Sequence, residues 1–299
     1  MKEKLAFGDN AFDIISLFAA IWVMLAHTVA WLGYNGAGAQ FPLWVIIAPG
    51  PAVVIMFAMS GFLVAASYDR SATVGEFYKK RLLRIYPPLL TVLIVTAVVF
   101  CSSGRVNESI FGIVKDIALG AFLGRNGVVP EGGFGNGSLW TIPIQVQFYL
   151  LLPLIMKIAR YLKQKSIVFV VGAILLSLLI NLCNSAIVSC LPGIIRKIYT
   201  MTCIPYLYMF LMGVGAYLYR GKVIPFLVCC WKKLLILYIV LCWIIRLDYL
   251  YDWTYINPIS AILICGVLFG TAYSFGKRRL KVSASQNSVL DNRKGPAKA

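Results

Sequence analysis

The only histidine of the chain, His27, lies inside its first apolar segment. That segment runs from about residue 14 to residue 32 and is long enough to cross a bilayer. An ionisable side chain at this depth costs at least ~2.5–3.5 kcal/mol on insertion scales, which makes it a candidate for function. A neutral imidazole can serve as a general base, a metal ligand or a hydrogen-bonding partner between helices. A histidine that only packs between helices remains the alternative here.

Ser16 is the polar residue that shares a helix face with His27. The two are eleven residues apart, which is close to three full turns, so they lie on one side of a helix and ~16 Å apart. Ser16 is therefore expected to face the same cavity as His27.

Two arginines open the third apolar segment. Arg81 and Arg84 are three residues apart and are therefore neighbours on a helix. Paired guanidinium groups at a cytoplasmic mouth can bind phosphates bidentately. From these residues alone, an ordinary basic anchor for anionic lipid head groups is the favoured interpretation. Ser60, followed by Gly61 at the end of the second segment, permits close helix approach and by itself indicates packing.

Polar and aromatic residues also open the fifth apolar segment. Gln145 and Gln147 lie inside it, close to Trp140 and Tyr149. Their amides need hydrogen-bond partners in a membrane. A glycine-rich stretch, 130–137, precedes them and is expected to be a flexible external loop over the site.

The composition determines the class of protein. The chain has 299 residues, of which 60% are hydrophobic and 13% charged; soluble domains average ~45–50% apolar and ~25% charged residues. This excludes a soluble globular protein and a disordered one. The net charge of +17 lies in short clusters between apolar runs, which is typical of membrane topology and not of a nucleic-acid-binding face.

The apolar segments predict an all-α polytopic membrane protein, a bundle of about eight to nine transmembrane helices. Eight segments are long and apolar enough to span. A ninth, 110–124, contains Lys115 and Asp116 and fits a re-entrant or interfacial helix better. The eight predicted spans are 14–32, 43–66, 86–103, 139–159, 166–183, 199–219, 234–250 and 256–275.

The basic residues also predict the orientation. With the start of the chain in the cytoplasm, 22 of the 28 Lys and Arg residues lie on the cytoplasmic side, as the positive-inside rule requires. The polar, basic tail 277–299 is then cytoplasmic, and it is expected to be disordered.

The eight cysteines predict neither a metal site nor a disulfide framework. Most lie inside or beside apolar runs, without CxxC spacing and without a companion set of histidines. They are interpreted as small apolar residues.

Four blocks together resemble the family-three membrane acyltransferases, which transfer acyl groups, commonly acetyl or succinyl, to hydroxyls of carbohydrates and related acceptors. The resemblance covers residues ~10–275. The blocks keep the order and the membrane setting of that family, and they are residues 12–27, 56–63, 77–87 and 138–153.

The resemblance implies a membrane-embedded acyltransferase-like domain over residues 1–276, located in the cell membrane. Acyl-CoA, most commonly acetyl-CoA, would be the donor, and a cell-envelope saccharide the acceptor, with no metal and no nucleic acid. His27 would remove the acceptor proton or relay the acyl group, with Gln145 beside it in the catalytic pair. Arg81 and Arg84 would bind the CoA phosphates. The substrate-binding residues would be Ser16, Ser60, Trp140, Gln147 and Tyr149.

Two positions depart from the family pattern. Ser16 occupies the place of an arginine, and Gln145 that of a glutamate. An amide can orient the imidazole of His27 but cannot stabilise its protonated form by charge. Loss of the comparable carboxylate in a Ser-His-Asp triad lowers turnover about 10⁴-fold. A catalytically decayed member that binds or transports an acylated or glycan ligand is therefore the second hypothesis, and a plain transporter is the third.

Overall fold

The structure is a computed structural model, and it describes residues 10–31, 50–102, 111–115, 118, 137–244 and 257–293. Of the predicted re-entrant segment 110–124, residues 111–115 and 118 are described, and they are helical. The predicted external loop lies outside the described residues except for Gly137.

The described residues are helical and contain no strand. Short 3₁₀ turns precede three of the helices, at Gly137–Trp140, Lys163–Lys165 and Ile204–Tyr206. The α-helices are α1 (Phe12–Trp31), α2 (Gly50–Asp69), α3 (Val74–Ser102), α4 (Thr141–Tyr161), α5 (Ser166–Leu182), α6 (Asn184–Cys190), α7 (Gly193–Thr200), α8 (Leu207–Leu218), α9 (Arg220–Ile244) and α10 (Pro258–Arg293).

The predicted fold class is confirmed: the chain is an all-α polytopic membrane protein. Among the described residues, six helices are long and apolar enough to cross a membrane, or seven if α7 and the bent continuation into α8 form one span. The apolar part of α1, Phe12–Thr28, is shorter. Each of the eight predicted spans overlaps one of these helices.

Three helices extend further than their apolar segments. Helix α3 begins at Val74 and α9 at Arg220, each more than ten residues before the predicted span. Helix α10 continues to Arg293, whereas the sequence predicts a disordered tail after Gly276. No glycine or proline interrupts 277–293, so the backbone of α10 can continue as a helix beyond the apolar segment. The division into domains 1–276 and 277–299 stays a prediction.

The chain forms two compact units, Met1–Met59 with Gly215–Ala299, and Ser60–Val214. In the first unit, the ring of Phe12 packs edge-on against Phe269 and Tyr273 of α10, with centroids 6.1 and 5.9 Å away. Two glycines bring α10 close to α9: a Cβ at Gly266 would meet a Leu234 methyl at 2.5 Å, and one at Gly270 would meet the side chain of Trp231.

In the second unit, three helices meet at Phe210. The ring of Phe148 in α4 stacks on the Phe210 ring with centroids 4.2 Å apart. Gly61 of α2 lies directly against the Phe210 backbone, where a Cβ would collide with the carbonyl oxygen. Helix α3 packs separately through a buried cluster of Leu89, Leu93, Ala97 and Leu139. These contacts hold α2, α3 and α4 in the register that positions the polar residues.

Candidate active site

A chain of hydrogen bonds joins α2 to α4 through the phenol of Tyr149. The Tyr149 hydroxyl is 2.9 Å from Oγ of Ser60, and it donates to Oε1 of Gln145 at 3.3 Å. Gln145 and Tyr149 are four residues apart on α4 and therefore lie on one face. The structure thus brings together three residues predicted for the site: Ser60, Gln145 and Tyr149.

Counting protons gives this chain a direction. A phenol has one proton, and that of Tyr149 is donated to Gln145. Ser60 must therefore donate to the Tyr149 oxygen. The Gln145 carbonyl is an acceptor in use, while its Nε2 has no hydrogen-bond partner among the described residues. Gln145 thus offers a neutral donor, held in one orientation, on the side of α4 that faces Ser60.

Arg81 is held by a residue that sequence reasoning did not single out. Its Nη2 donates to Oγ of Ser67 at 2.7 Å, and Ser67 is buried near the end of α2. Arg81 is half-buried, and its Nε has no partner among the described residues. No carboxylate in the described part of the chain pairs with it. Arg84 is exposed, so of the two predicted phosphate ligands only Arg81 is oriented by the fold.

Unlike Arg81, a second arginine near the same end of α2 is paired with a carboxylate. Arg160, at the end of α4, pairs with Asp69 at the end of α2 and lies 5.3 Å from the centroid of the Tyr68 ring. Tyr68 in turn packs edge-on against Phe77 of α3. Arg81 and Arg160 therefore differ in their availability to an anion.

Gln147 and Trp140 face a different segment. The Gln147 amide donates from Nε2 to the Met201 carbonyl and accepts at Oε1 from the Cys203 amide, both at 2.8 Å. The Trp140 ring lies 5.1 Å from that of Tyr206. Both amide ends of Gln147 are occupied by backbone between α7 and α8, which gives this residue a structural task. Substrate binding by Gln147 and Trp140 stays a prediction.

His27 and Ser16 lie on the unbroken helix α1 of the first unit. His27 is half-buried and Ser16 is exposed. The ring of His27 forms no hydrogen bond with any residue that the structure describes. The continuous helix keeps the predicted spacing of three turns between the two side chains.

Comparison with known proteins decides the family. A family model for an acyltransferase domain matches residues 9–289, which is nearly the whole chain. The chain belongs to acyltransferase family 3. The resemblance that the four sequence blocks predict is confirmed, and the match extends past Gly276 into the last part of α10.

Two relatives of this family-3 chain have informative names. Nodulation protein 10 of Rhizobium leguminosarum bv. viciae is 31% identical over 180 residues, which cover 56% of this chain and 49% of that protein. An O-acetyl transferase of Shigella phage Sf6 is 30% identical over 154 residues, covering 48% and 44% respectively. The chain spans about half the length of these curated relatives. No solved structure matches it.

Sequence reasoning missed a set of polar residues in α5 and at the start of α6. Ser177, Asn181 and Asn184 are all buried, and their spacing of four and then three residues puts them on one helix face. Three polar residues at this spacing inside an apolar run are the signal by which the sequence could have identified them. Among the described residues, no group of three or more His, Cys, Asp and Glu side chains could hold a metal ion.

Proposed function

We propose that this family-3 protein is an O-acyltransferase of the cell (cytoplasmic) membrane that transfers an acyl group, most simply acetyl, from acyl-CoA to a hydroxyl of a cell-envelope carbohydrate. The observation that carries the proposal is the family match over residues 9–289. The O-acetyl transferase among its relatives supports the choice of an oxygen acceptor.

The reaction needs a group that takes the proton of the acceptor hydroxyl and then delivers it to the leaving thiolate. In the proposed reaction the acceptor oxygen attacks the thioester carbon, a C–O bond forms, the C–S bond breaks, and His27 takes the acceptor proton and returns it to the departing CoA thiolate. The products are the acyl ester and free CoA. The half-buried ring of His27, with no hydrogen-bond partner among the described residues, supports its role as base. General base catalysis of this kind contributes typically 10²–10⁴-fold.

Arg81 is the proposed ligand of the CoA phosphates. A guanidinium that is half-buried, oriented by Ser67 and not paired with a described carboxylate retains donors for a phosphate. Arg84, three residues further on and exposed, would make a second and weaker phosphate contact because solvent screens it.

Gln145 is proposed to act as a donor to a substrate oxygen. Its carbonyl end accepts from Tyr149, so the NH₂ end is the part that remains for a ligand. A neutral donor at a position where negative charge develops stabilises that charge, although less than a cationic group does. This role does not require the carboxylate that the family pattern has at this position.

The test is release of CoA from radiolabelled acetyl-CoA by the full chain in lipid nanodiscs, with and without an envelope-saccharide extract. We expect extract-stimulated release, and we expect His27→Ala to reduce it at least about 100-fold. Thr28→Ala is the matched control, because Thr28 is exposed and bonds only its own helix at Met24. Undiminished release by folded His27→Ala protein would refute the proposed base.

The second candidate function is a catalytically decayed binding or transport protein. The neutral residues at Ser16 and Gln145 favour it, since both departures remove charge relative to the family pattern. The double variant Ser16→Arg with Gln145→Glu discriminates between the candidates. A decayed enzyme should gain acyl transfer in this variant, whereas a protein that has become a binder should stay inactive.

A further inference from the structure

A stripe of buried polar side chains runs along α5 into α6. Ser177, Asn181 and Asn184 are 2%, 1% and 1% exposed. The chain stays close to helical through Cys183, with φ −84° and ψ 3°, so the three side chains remain on one face. The neighbouring residues of α5 are apolar, and many of them are exposed as lipid-facing residues are.

Each member of this polar stripe has one group without a partner. Oγ of Ser177, Oδ1 of Asn181 and Nδ2 of Asn184 are buried and have no hydrogen bond among the described residues. Buried polar groups are nearly always satisfied, and those that are not need an explanation. Together the stripe offers an acceptor, a pair of donor hydrogens and a hydroxyl that can do either.

The stripe faces a break between two helices. Helix α7 ends at Thr200 and the next helical turn begins at Ile204, with a bend of 44° between them. Irregular backbone at membrane depth is tolerated where protein groups satisfy it or where it lines a cavity. Here the amide Nδ2 of Asn181 donates to the Pro205 carbonyl at 3.0 Å, and the Tyr199 hydroxyl donates to Oδ1 of Asn184 at 2.9 Å.

The chemistry of these groups is neutral. The unpartnered atoms belong to two amides and one hydroxyl, and no described charged side chain hydrogen-bonds to them. An anion or a metal ion would lack countercharge here. In the same segment Tyr206 is buried and packs against Trp140.

We infer that the polar stripe Ser177, Asn181 and Asn184, with the segment 200–206, is a binding subsite for the hydroxyl groups of a neutral saccharide. A sugar hydroxyl both donates and accepts, which matches the unpartnered donor and acceptor. On the predicted topology this end of α5 lies on the outer side, where an envelope saccharide would arrive. The subsite adds a binding site to the proposed function. It rests on that proposal for the statement that the saccharide is the acyl acceptor.

Entry into the subsite requires the segment 200–206 to move. Gln147 holds it by donating to the Met201 carbonyl and accepting from the Cys203 amide, and Asn181 donates to the Pro205 carbonyl. A saccharide that reaches the stripe should therefore alter the hydrogen exchange of this segment and leave the cores of α2 and α4 unchanged.

The decisive variant is Ser177→Ala in the full chain in nanodiscs. It removes an unpartnered buried hydroxyl, so the unfolding temperature should stay the same or rise. If the hydroxyl binds a sugar, the KM for the acceptor should rise about fivefold, the value of one hydrogen bond, with an unchanged KM for acetyl-CoA. Ser189→Ala is the control, since Ser189 is exposed and bonds its own helix at Ala186.

A binding measurement separates this inference from the proposed function. Hydrogen exchange of the segment 200–206 is followed with oligosaccharides of glucose, galactose and N-acetylglucosamine as probes. A saccharide-dependent change in this exchange that is weakened in Ser177→Ala supports the subsite even if no acyl transfer occurs. Acyl transfer with an acceptor KM unchanged in Ser177→Ala, or exchange that no probe changes, overturns the subsite and leaves the acyltransferase proposal standing. A stripe that holds only buried water would give that second result.

Discussion

Two glutamines of α4, only two residues apart, have different tasks. Gln145 uses one end of its amide, accepting from Tyr149, and its Nε2 has no partner among the described residues. Gln147 uses both ends on the backbone of Met201 and Cys203. A separation of two residues turns the side chains about 200° around the helix, so one face of α4 carries the candidate chemistry and the other holds a break between helices.

The difference shows how polar groups inside a span are to be interpreted. Both residues satisfy the general expectation that an amide in a membrane has a hydrogen-bond partner. The number of amide groups that the fold already uses distinguishes a residue available to substrate from one that completes the structure. Residue type and approximate depth in the span do not distinguish Gln145 from Gln147.

The largest expected effect comes from Gln147→Leu. It leaves the Met201 carbonyl and the Cys203 amide without partners, and each buried orphan group costs ~1–3 kcal/mol. For the two groups together we expect the free energy of unfolding to fall by about 2–6 kcal/mol, measured by thermal unfolding in nanodiscs. Gln145→Leu is the matched variant. Its free energy of unfolding should fall by about 1 kcal/mol or less, whereas its rate of acyl transfer should fall strongly. Equal destabilisation by the two variants would contradict the comparison.

Gly61→Ala should destabilise the protein less than Gln147→Leu does, and its effect should be confined to the face of α4 that carries Gln145. The new methyl group would collide with the Phe210 carbonyl, which pushes α2 away and displaces Ser60 from Tyr149. Overpacking of this kind typically costs ~1–3 kcal/mol, and acyl transfer should fall with it. Gly172→Ala provides the control, because nothing lies within 4 Å of that position. It should leave transfer unchanged and stabilise α5 by up to about 1 kcal/mol.

The smallest expected change in stability is for Tyr149→Phe. It deletes one hydroxyl and with it the hydrogen bonds to Ser60 and Gln145, at a cost of about 1–2 kcal/mol. The Gln145 amide can then rotate, so kcat should fall about tenfold while the KM for acetyl-CoA holds. Tyr161→Phe, at an 84% exposed position, should change neither. A fall confined to KM would instead assign the Tyr149 hydroxyl to donor binding.

The sequence predicts the helices well and their side-chain partners poorly. Apolar runs of about twenty residues locate the spans because the bilayer imposes that length. The helical starts of α3 and α9 were missed because charged residues such as Lys79, Lys80 and Lys222 end an apolar run without ending a helix. Hydropathy reports burial in lipid, whereas helix formation depends on the backbone.

The site is predictable only where its geometry is local. The four-residue spacing of Gln145 and Tyr149 can be read from the sequence, but the Ser60 hydroxyl comes from 89 residues away. The partner of Arg81 at Ser67 and the orphan groups of Ser177, Asn181 and Asn184 likewise depend on which helices pack together. Periodicity gives the face of a helix but not its neighbour.

The ion pair of Asp69 with Arg160 has a mechanical consequence. It ties α2 to α4 at one level, and the Ser60–Tyr149 bond ties the same helices about 13 Å further along α2. Two attachments at different heights oppose sliding and independent rotation of these segments, although the exposed ion pair contributes only about 0–1 kcal/mol. Residues 60–69 of α2 should therefore move together with α4, and displacement within the unit Ser60–Val214 should be concentrated outside this pair.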